Sequence, residues 1–234
     1  MKNKKNLYKI FYGKNYDNLY KGLSGFFFRQ AHNNLEKLNI KGNNKVNKSL
    51  LDLKKKINIL EVGPGRHSHY DYIKFTININ RYFIYDKNYK YCLILKKENK
   101  HKYFKYINNL NKIKKNSLDR IICSHVIEHV PDPEKFILSL YKLLKKNGTI
   151  SITLPCDPGF LWGLGRLFNY LTFWKFKKIT KKEYFYHMAN EHINPIQNLL
   201  SILKYYFSNY KDSFLPFRIR SINLNLMYNI VVTK

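Results

Sequence analysis

The chain has 234 residues, a length that suits one α/β domain carrying an inserted cap and a sizeable core. Its formal charge is +28, from 43 basic against 15 acidic residues, yet 36 of the 43 are Lys and 7 are Arg. Base-reading proteins favour the bidentate fork of Arg, and Asn, Ile, Tyr and Phe are abundant here too, so the charge reads as drift toward A/T-rich codons and leaves nucleic acid as a less favoured partner.

Residues 1 to about 20 are polar and basic with scattered tyrosines, and read as a loosely held arm. Apolar positions 27, 28, 31, 35 and 38 follow helical spacing and predict one N-terminal helix. A polar linker at 42–49 closes this region, so 1–49 reads as an arm and helix ahead of a main domain at 50–234. The first core strand is expected at 56–62, a short helix within 68–75, and a second strand at 82–85. A weaker strand at 103–107 precedes a clear one at 120–124. The best helix spans 133–145: Asp132 can cap it, Pro133 sits in its first turn, apolar residues fall at 136, 137, 140, 141, 143 and 144, and Gly148 ends it. A fifth strand follows at 149–154. From Cys156 to about Met188 the chain turns aromatic among lysines, with Phe160, Trp162, Phe168, Tyr170, Phe173, Trp174 and Phe176, and reads as a cap over the site, at about 156–190. A helix at 195–207 and a strand pair at 214–222 and 226–233 complete the chain. Alternating strands and helices predict a parallel sheet.

The stretch Ile57-Asn58-Ile59-Leu60-Glu61-Val62-Gly63-Pro64-Gly65 is an apolar run that ends in an acid and two glycines. That is the form of a buried strand whose turn lets backbone approach a ligand closely. Glycine pairs after a strand also serve dinucleotides, but Glu61 would face a pyrophosphate unfavourably and suits a cationic ligand better. Asp86 ends the second strand 23 residues after Gly63, where an acid can accept both hydroxyls of a ribose; a helix cap is the alternative. Further on, Asn116-Ser117-Leu118-Asp119-Arg120-Ile121-Ile122-Cys123-Ser124-His125-Val126-Ile127-Glu128-His129-Val130-Pro131-Asp132-Pro133 joins the fourth strand to the next helix, and a Lys146-Asn147-Gly148 turn follows. Ligands of open α/β sheets bind at such strand ends.

These motifs resemble the class I S-adenosylmethionine-dependent methyltransferases, strongly over 57–154 and weakly on both flanks. The resemblance implies a Rossmann-like, doubly wound, mostly parallel seven-stranded sheet, here with an N-terminal helix and an aromatic-rich cap insertion. It places Glu61, Gly63 and Gly65 against the amino acid and ribose of S-adenosyl-L-methionine, Asp86 on the ribose, and an amide at Asn108 or Asn109 on the adenine. The common motif has a third glycine where this chain has His67. His125 is implied beside the cofactor, and His125 and His129 are the catalytic candidates. His129 is the candidate general base, because an imidazole titrates near neutrality; local packing or capping is the alternative for both. Asp157, which follows the fifth strand, and Glu191 and His192 at the end of the cap are candidate acceptor contacts, with turn formation and support of the next helix as alternatives.

The expected activity is methyl transfer to an oxygen or nitrogen in a small or amphiphilic acceptor: a metabolite, or a sugar-linked or lipid-linked group. The alternatives are an RNA methyltransferase that exploits the basic surface, and a non-catalytic membrane-peripheral or scaffold protein with 160–176 as an amphipathic anchor. Cys92, Cys123 and Cys156 are scattered, no His/Cys cluster has metal-ligand spacing, and no metal is expected. With no run of eighteen apolar residues and no apolar core near Met1, a cytoplasmic protein is expected, soluble or peripheral to a membrane.

Overall fold

The computed structural model describes residues 7, 10, 11, 22–41, 56–73, 78–177 and 179–234. Seven strands form one sheet in the order β3-β2-β1-β4-β5-β7-β6. They are β1 (Ile57–Val62), β2 (Ile79–Tyr85), β3 (Phe104–Ile107), β4 (Leu118–Ser124), β5 (Leu144–Pro155), β6 (Tyr210–Leu215) and β7 (Met227–Thr233). The first five are parallel, and β7 runs antiparallel to both of its neighbours. The winding reverses between β1 and β4, so their carboxyl ends frame the crevice where open α/β sheets take ligands.

The central strands are apolar on both faces because helices cover both. β4 is buried at every position except Ser124. On one face α3 (Pro133–Leu143) and α6 (Ile196–Tyr206) bury Ile137, Leu140, Leu143, Ile196, Leu199 and Leu203 against the strands. On the other, α1 (Gly22–Lys41) and α2 (Tyr89–Glu98) contribute Leu35, Cys92 and Leu95. Helix α2 supplies the crossover that parallel β2 and β3 require, on a segment where Lys-rich ends mask a short apolar run. The cap comprises α4 (Phe160–Asn169), a π turn at Tyr170–Trp174, a short 3-10 turn at Lys175–Lys177 and α5 (Lys181–Glu191).

Three expectations are corrected. Leu7 and Phe11, within the arm read as loosely held, are buried with Tyr170, Trp174 and Tyr184, and the Phe11 and Trp174 rings lie 4.1 Å apart. Gly148 does not end α3, which stops at Leu143. Its glycine answers to crowding instead, since a Cβ there would stand 3.0 Å from the Lys145 carbonyl and 3.1 Å from that of Leu118. The strand expected at 214–222 is Tyr210–Leu215, because Pro216 has no N–H to donate and the Asn225 side chain ties the following loop, accepting from Phe217 N–H and donating to the Ile219 and Ser221 carbonyls. The linker at 42–49, the boundary at 49/50 and part of the short helix expected in 68–75 lie outside the described residues; the rest of that helix is a 3-10 turn, His69–Tyr72.

Candidate active site

Strand β1 delivers Glu61 and the glycines to the carboxyl edge of the sheet. Gly63 and Gly65 have φ of 65° and 61°, in the left-handed region that other residues avoid. A Cβ on Gly63 would meet Val126 Cγ2 at 2.5 Å, so this loop and the one after β4 touch. Glu61 lies beneath the loop rather than on it. Its Oε2 accepts from Ser68 Oγ at 2.5 Å and Tyr82 OH at 2.8 Å, and its Oε1 accepts from His69 N–H at 2.6 Å. Burial pushes its carboxyl up, against these hydrogen bonds. The carboxylate therefore braces the turn that carries the glycines, a role the sequence did not separate from direct cofactor contact.

Asp86, at the end of β2, accepts from Gly65 N–H at 3.0 Å and Asn88 N–H at 2.8 Å, using one lone pair on each oxygen. Burial raises its carboxyl as well. Asn108 follows β3 at the same edge and is exposed, whereas the Asn109 side chain accepts from Asn111 N–H at 2.9 Å and caps a short turn.

The loop after β4 begins with His125 in a left-handed conformation, φ 55°, its N–H donating to the Thr153 carbonyl at 3.0 Å. Backbone strain of this kind gathers at functional sites. The turn Ile127–His129 then brings Glu128 and His129 beside it. A cavity of about 240 Å³ opens over this loop, lined on the loop side by His125, Glu128, His129 and His192 and roofed by Phe28 of α1 and by Trp162, Arg166 and Trp174 of the cap. Phe28 meets His125 edge-on, with ring centroids 4.9 Å apart.

Hydrogen bonds fix the proton positions of two of these rings. His129 Nδ1–H donates to the Glu191 carbonyl at 2.7 Å, and His192 Nδ1–H to Asp157 Oδ2 at 2.8 Å. In its neutral form each ring then carries its lone pair on Nε2. Burial holds the His192 imidazole below its ordinary value despite Asp157. At Glu128 burial works upward, but the surrounding His125, His129 and His192 outweigh it and hold the carboxyl well below the usual range.

The structure brings His125, His129 and His192, read from the sequence as site candidates, to one cavity wall. Asp157 and Glu191 do not line it: the Asp157 carboxylate is bound to Arg166 and His192, and Glu191 contributes a backbone carbonyl to His129. Both hold residues that line it. Glu128 and Arg166 were missed as site residues; only adjacency to His129 marked the first. A buried chain beneath α1 was missed too. Glu36 can only accept, so His69 Nε2–H donates to it at 2.7 Å; Arg120 is paired with it at 2.5 Å, and His69 Nδ1 and His32 Nδ1 share a hydrogen bond of 2.7 Å. This chain anchors α1 to β4 and to the turn that Glu61 braces.

Comparison with known proteins agrees with this geometry. The model of the family described as a methyltransferase domain matches residues 33–203. No curated protein matches the chain. Among solved structures, the plantazolicin methyltransferase BpumL in complex with S-adenosylhomocysteine aligns with a TM-score of 0.57 at 14% identity, over 97% of this chain and 94% of that one. A methyltransferase from Thermotoga maritima gives 0.54 at 16% identity over 98% and 99%, and one from Archaeoglobus fulgidus 0.53 at 18% identity over 84% and 96%. With the glycine turn, the acid after β2 and the seven-stranded order in place, the chain belongs to the methyltransferase-domain family and is an S-adenosylmethionine-dependent methyltransferase of the class I fold.

Proposed function

We propose that the enzyme methylates an oxygen or nitrogen atom of a small or amphiphilic acceptor held in the cavity under the cap. The observation that supports this is the cavity itself, which is largely aromatic, about 240 Å³, and bounded by the His125 loop that touches the glycine turn. The residues present fit the cofactor. The turn offers bare backbone at Gly63 and Gly65, and Asp86 keeps a lone pair on each oxygen for ribose hydroxyls. The exposed Asn108 amide lies at the β3 end, where an adenine amino group would need an acceptor.

Bound S-adenosylmethionine supplies an electrophilic methyl on sulfur. The chain's own contribution is to hold donor and acceptor close and in line, and to keep water out with the cap. Phe28, Trp162 and Trp174 give the acceptor an apolar slot. His129 and His192 line the slot, and in their neutral forms the Nε2 lone pair of either can receive the proton of a hydroxyl or ammonium acceptor.

The amphiphilic reading is supported by an apolar ridge. Phe160, Leu164, Phe168 and Leu171 are exposed along α4 and the turn beyond it, and Phe168 also lines the cavity, so apolar surface runs from the pocket to solvent beside exposed Lys175 and Lys177. No helix among the described residues is long and apolar enough to cross a membrane. Calorimetry with S-adenosylhomocysteine tests the donor side, and no binding at millimolar ligand would overturn it. Activity screening with amphiphilic and RNA acceptors tests the other side, and methylation confined to RNA, with steeply salt-dependent binding, would replace the small-acceptor reading.

A further inference from the structure

We propose that Glu128, His129 and His192 bind one divalent transition-metal ion on the wall of the acceptor cavity. Their ligand atoms lie within 4.8 Å of one another, and His129 Nε2 stands 3.8 Å from Glu128 Oε1. All three residues line the cavity. His192 lies far along the chain from the other two, so no ligand spacing is visible in the sequence.

Each imidazole is already oriented as a ligand. The Nδ1–H of His192 is held by the Asp157 carboxylate and that of His129 by the Glu191 carbonyl, which leaves Nε2 of each ring for a metal. A carboxylate or carbonyl behind a histidine is the usual outer support of a metal-bound imidazole. The two ligand-bearing segments are also tied to each other. Asn194 donates from its side chain to the Ile127 and Val130 carbonyls at 3.1 and 2.6 Å, and from its backbone to the Glu128 carbonyl at 3.1 Å.

Glu128 is the second, independent sign. It is 1% exposed, and neither of its carboxylate oxygens has a hydrogen-bond partner among the described residues. Its contact with His125 Nδ1, at 3.5 Å, is too long to satisfy a buried charge. Buried carboxylates are paired, hydrogen-bonded or bound to a metal, and a cation between Glu128 and the two Nε2 atoms supplies what this one lacks.

Two imidazoles and one carboxylate suit zinc and related first-row ions; magnesium prefers an all-oxygen set. Bonds of about 2.0–2.2 Å require the three side chains to draw in by about an ångström. Three protein ligands leave a position open toward the cavity, where an acceptor oxygen or nitrogen would coordinate with its pKa lowered and release its proton to solvent, the ion replacing the two bound Nε2 atoms in that role. That last point rests on the function proposed above; ion binding does not.

The test uses the full chain stripped with chelator and titrated with zinc, manganese and magnesium chloride by calorimetry, with elemental analysis of the product. One zinc per chain is expected, with magnesium failing to compete. His192→Ala and Glu128→Gln are expected to weaken zinc binding at least 100-fold, and Asp157→Asn about 10- to 100-fold. In the unsubstituted chain cobalt should give visible absorption that zinc abolishes at one equivalent, a readout independent of whether a variant folds. Absence of stoichiometric zinc uptake by the unsubstituted chain, or uptake unchanged in folded His192→Ala, overturns the site. S-Adenosylhomocysteine titration of the stripped protein separates the two claims. Binding of that ligand without zinc uptake removes the ion alone, and zinc uptake without it removes the methyl-transfer reading alone.

Discussion

Gly63 must be glycine on two counts, its left-handed φ and the 2.5 Å that a Cβ would leave to Val126 Cγ2. Gly63→Ala is expected to push the His125 loop away from the glycine turn and weaken S-adenosylhomocysteine binding at least tenfold, which calorimetry would read. Asp86 acts through charge rather than shape. Its replacement by Ala removes an ionised acceptor and should cost about 1–3 kcal/mol of binding. If affinity is unchanged, Asp86 serves only to hold the Gly65 and Asn88 N–H groups. Glu61 makes the complementary case, an acid whose oxygens are turned into the protein and whose influence on the cofactor passes through Ser68 and His69.

Among the elements, α1 depends most on polar anchoring. Ala31 and Leu35 give it an apolar contact, but its carbonyl at Ala31 accepts from Asn229, and Glu36 is buried against Arg120 and His69. Glu36→Gln leaves the Arg120 charge uncompensated in the sheet and is expected to cost about 3–5 kcal/mol in urea denaturation. A loss below about 1 kcal/mol would mean that solvent reaches the pair. Helix α3 offers a contrast, since Asp132 is exposed, caps Lys135 N–H at 2.9 Å and does not line the cavity. Asp132→Ala should cost about 1 kcal/mol of stability and leave cofactor affinity as it was.

At the scale of the whole molecule, two buried groups of α1, His32 and Glu36, make stability sensitive to acid. Burial, with His69, His125 and His67 adding to it, holds the His32 imidazole well below 6.5. The unfolded chain then binds a proton that the folded chain refuses, so stability falls as pH drops below about 6.5. Glu36 would be raised by burial alone, but Arg120 and His69 bring it down to about 2 from 4.5. Its contribution is complete above about pH 4.5 and is lost as pH falls toward 2. Glu61 and Asp86, raised by burial, act in the opposite sense, so the decisive measurement is a difference. Melting curves between about pH 7 and 5 should show a shallower decline for His32→Gln than for the unsubstituted chain, and equal slopes would exclude His32 as the cause.

Local patterns alone determined the strands at the centre of the sheet, the capped helix α3, the glycine turn and the cofactor class. Each of these is written in contiguous residues: an apolar run before Gly63, an acid after the next strand, Asp132-Pro133 before a helical stripe. The turn at Glu61 was legible as a motif, but the direction of its carboxylate was not, because Ser68 and Tyr82 reach it only once β1 and β2 are paired. The cavity wall was legible only in part. His125 and His129 lie in one motif, whereas His192 joins them through the fold, and Asp157 and Glu191, read as acceptor contacts, turn out to hold the two rings from behind. Burial and hydrogen-bond direction decide which oxygen meets a ligand and which meets the protein. Both arise from segments distant in sequence, so only the tertiary structure could assign them.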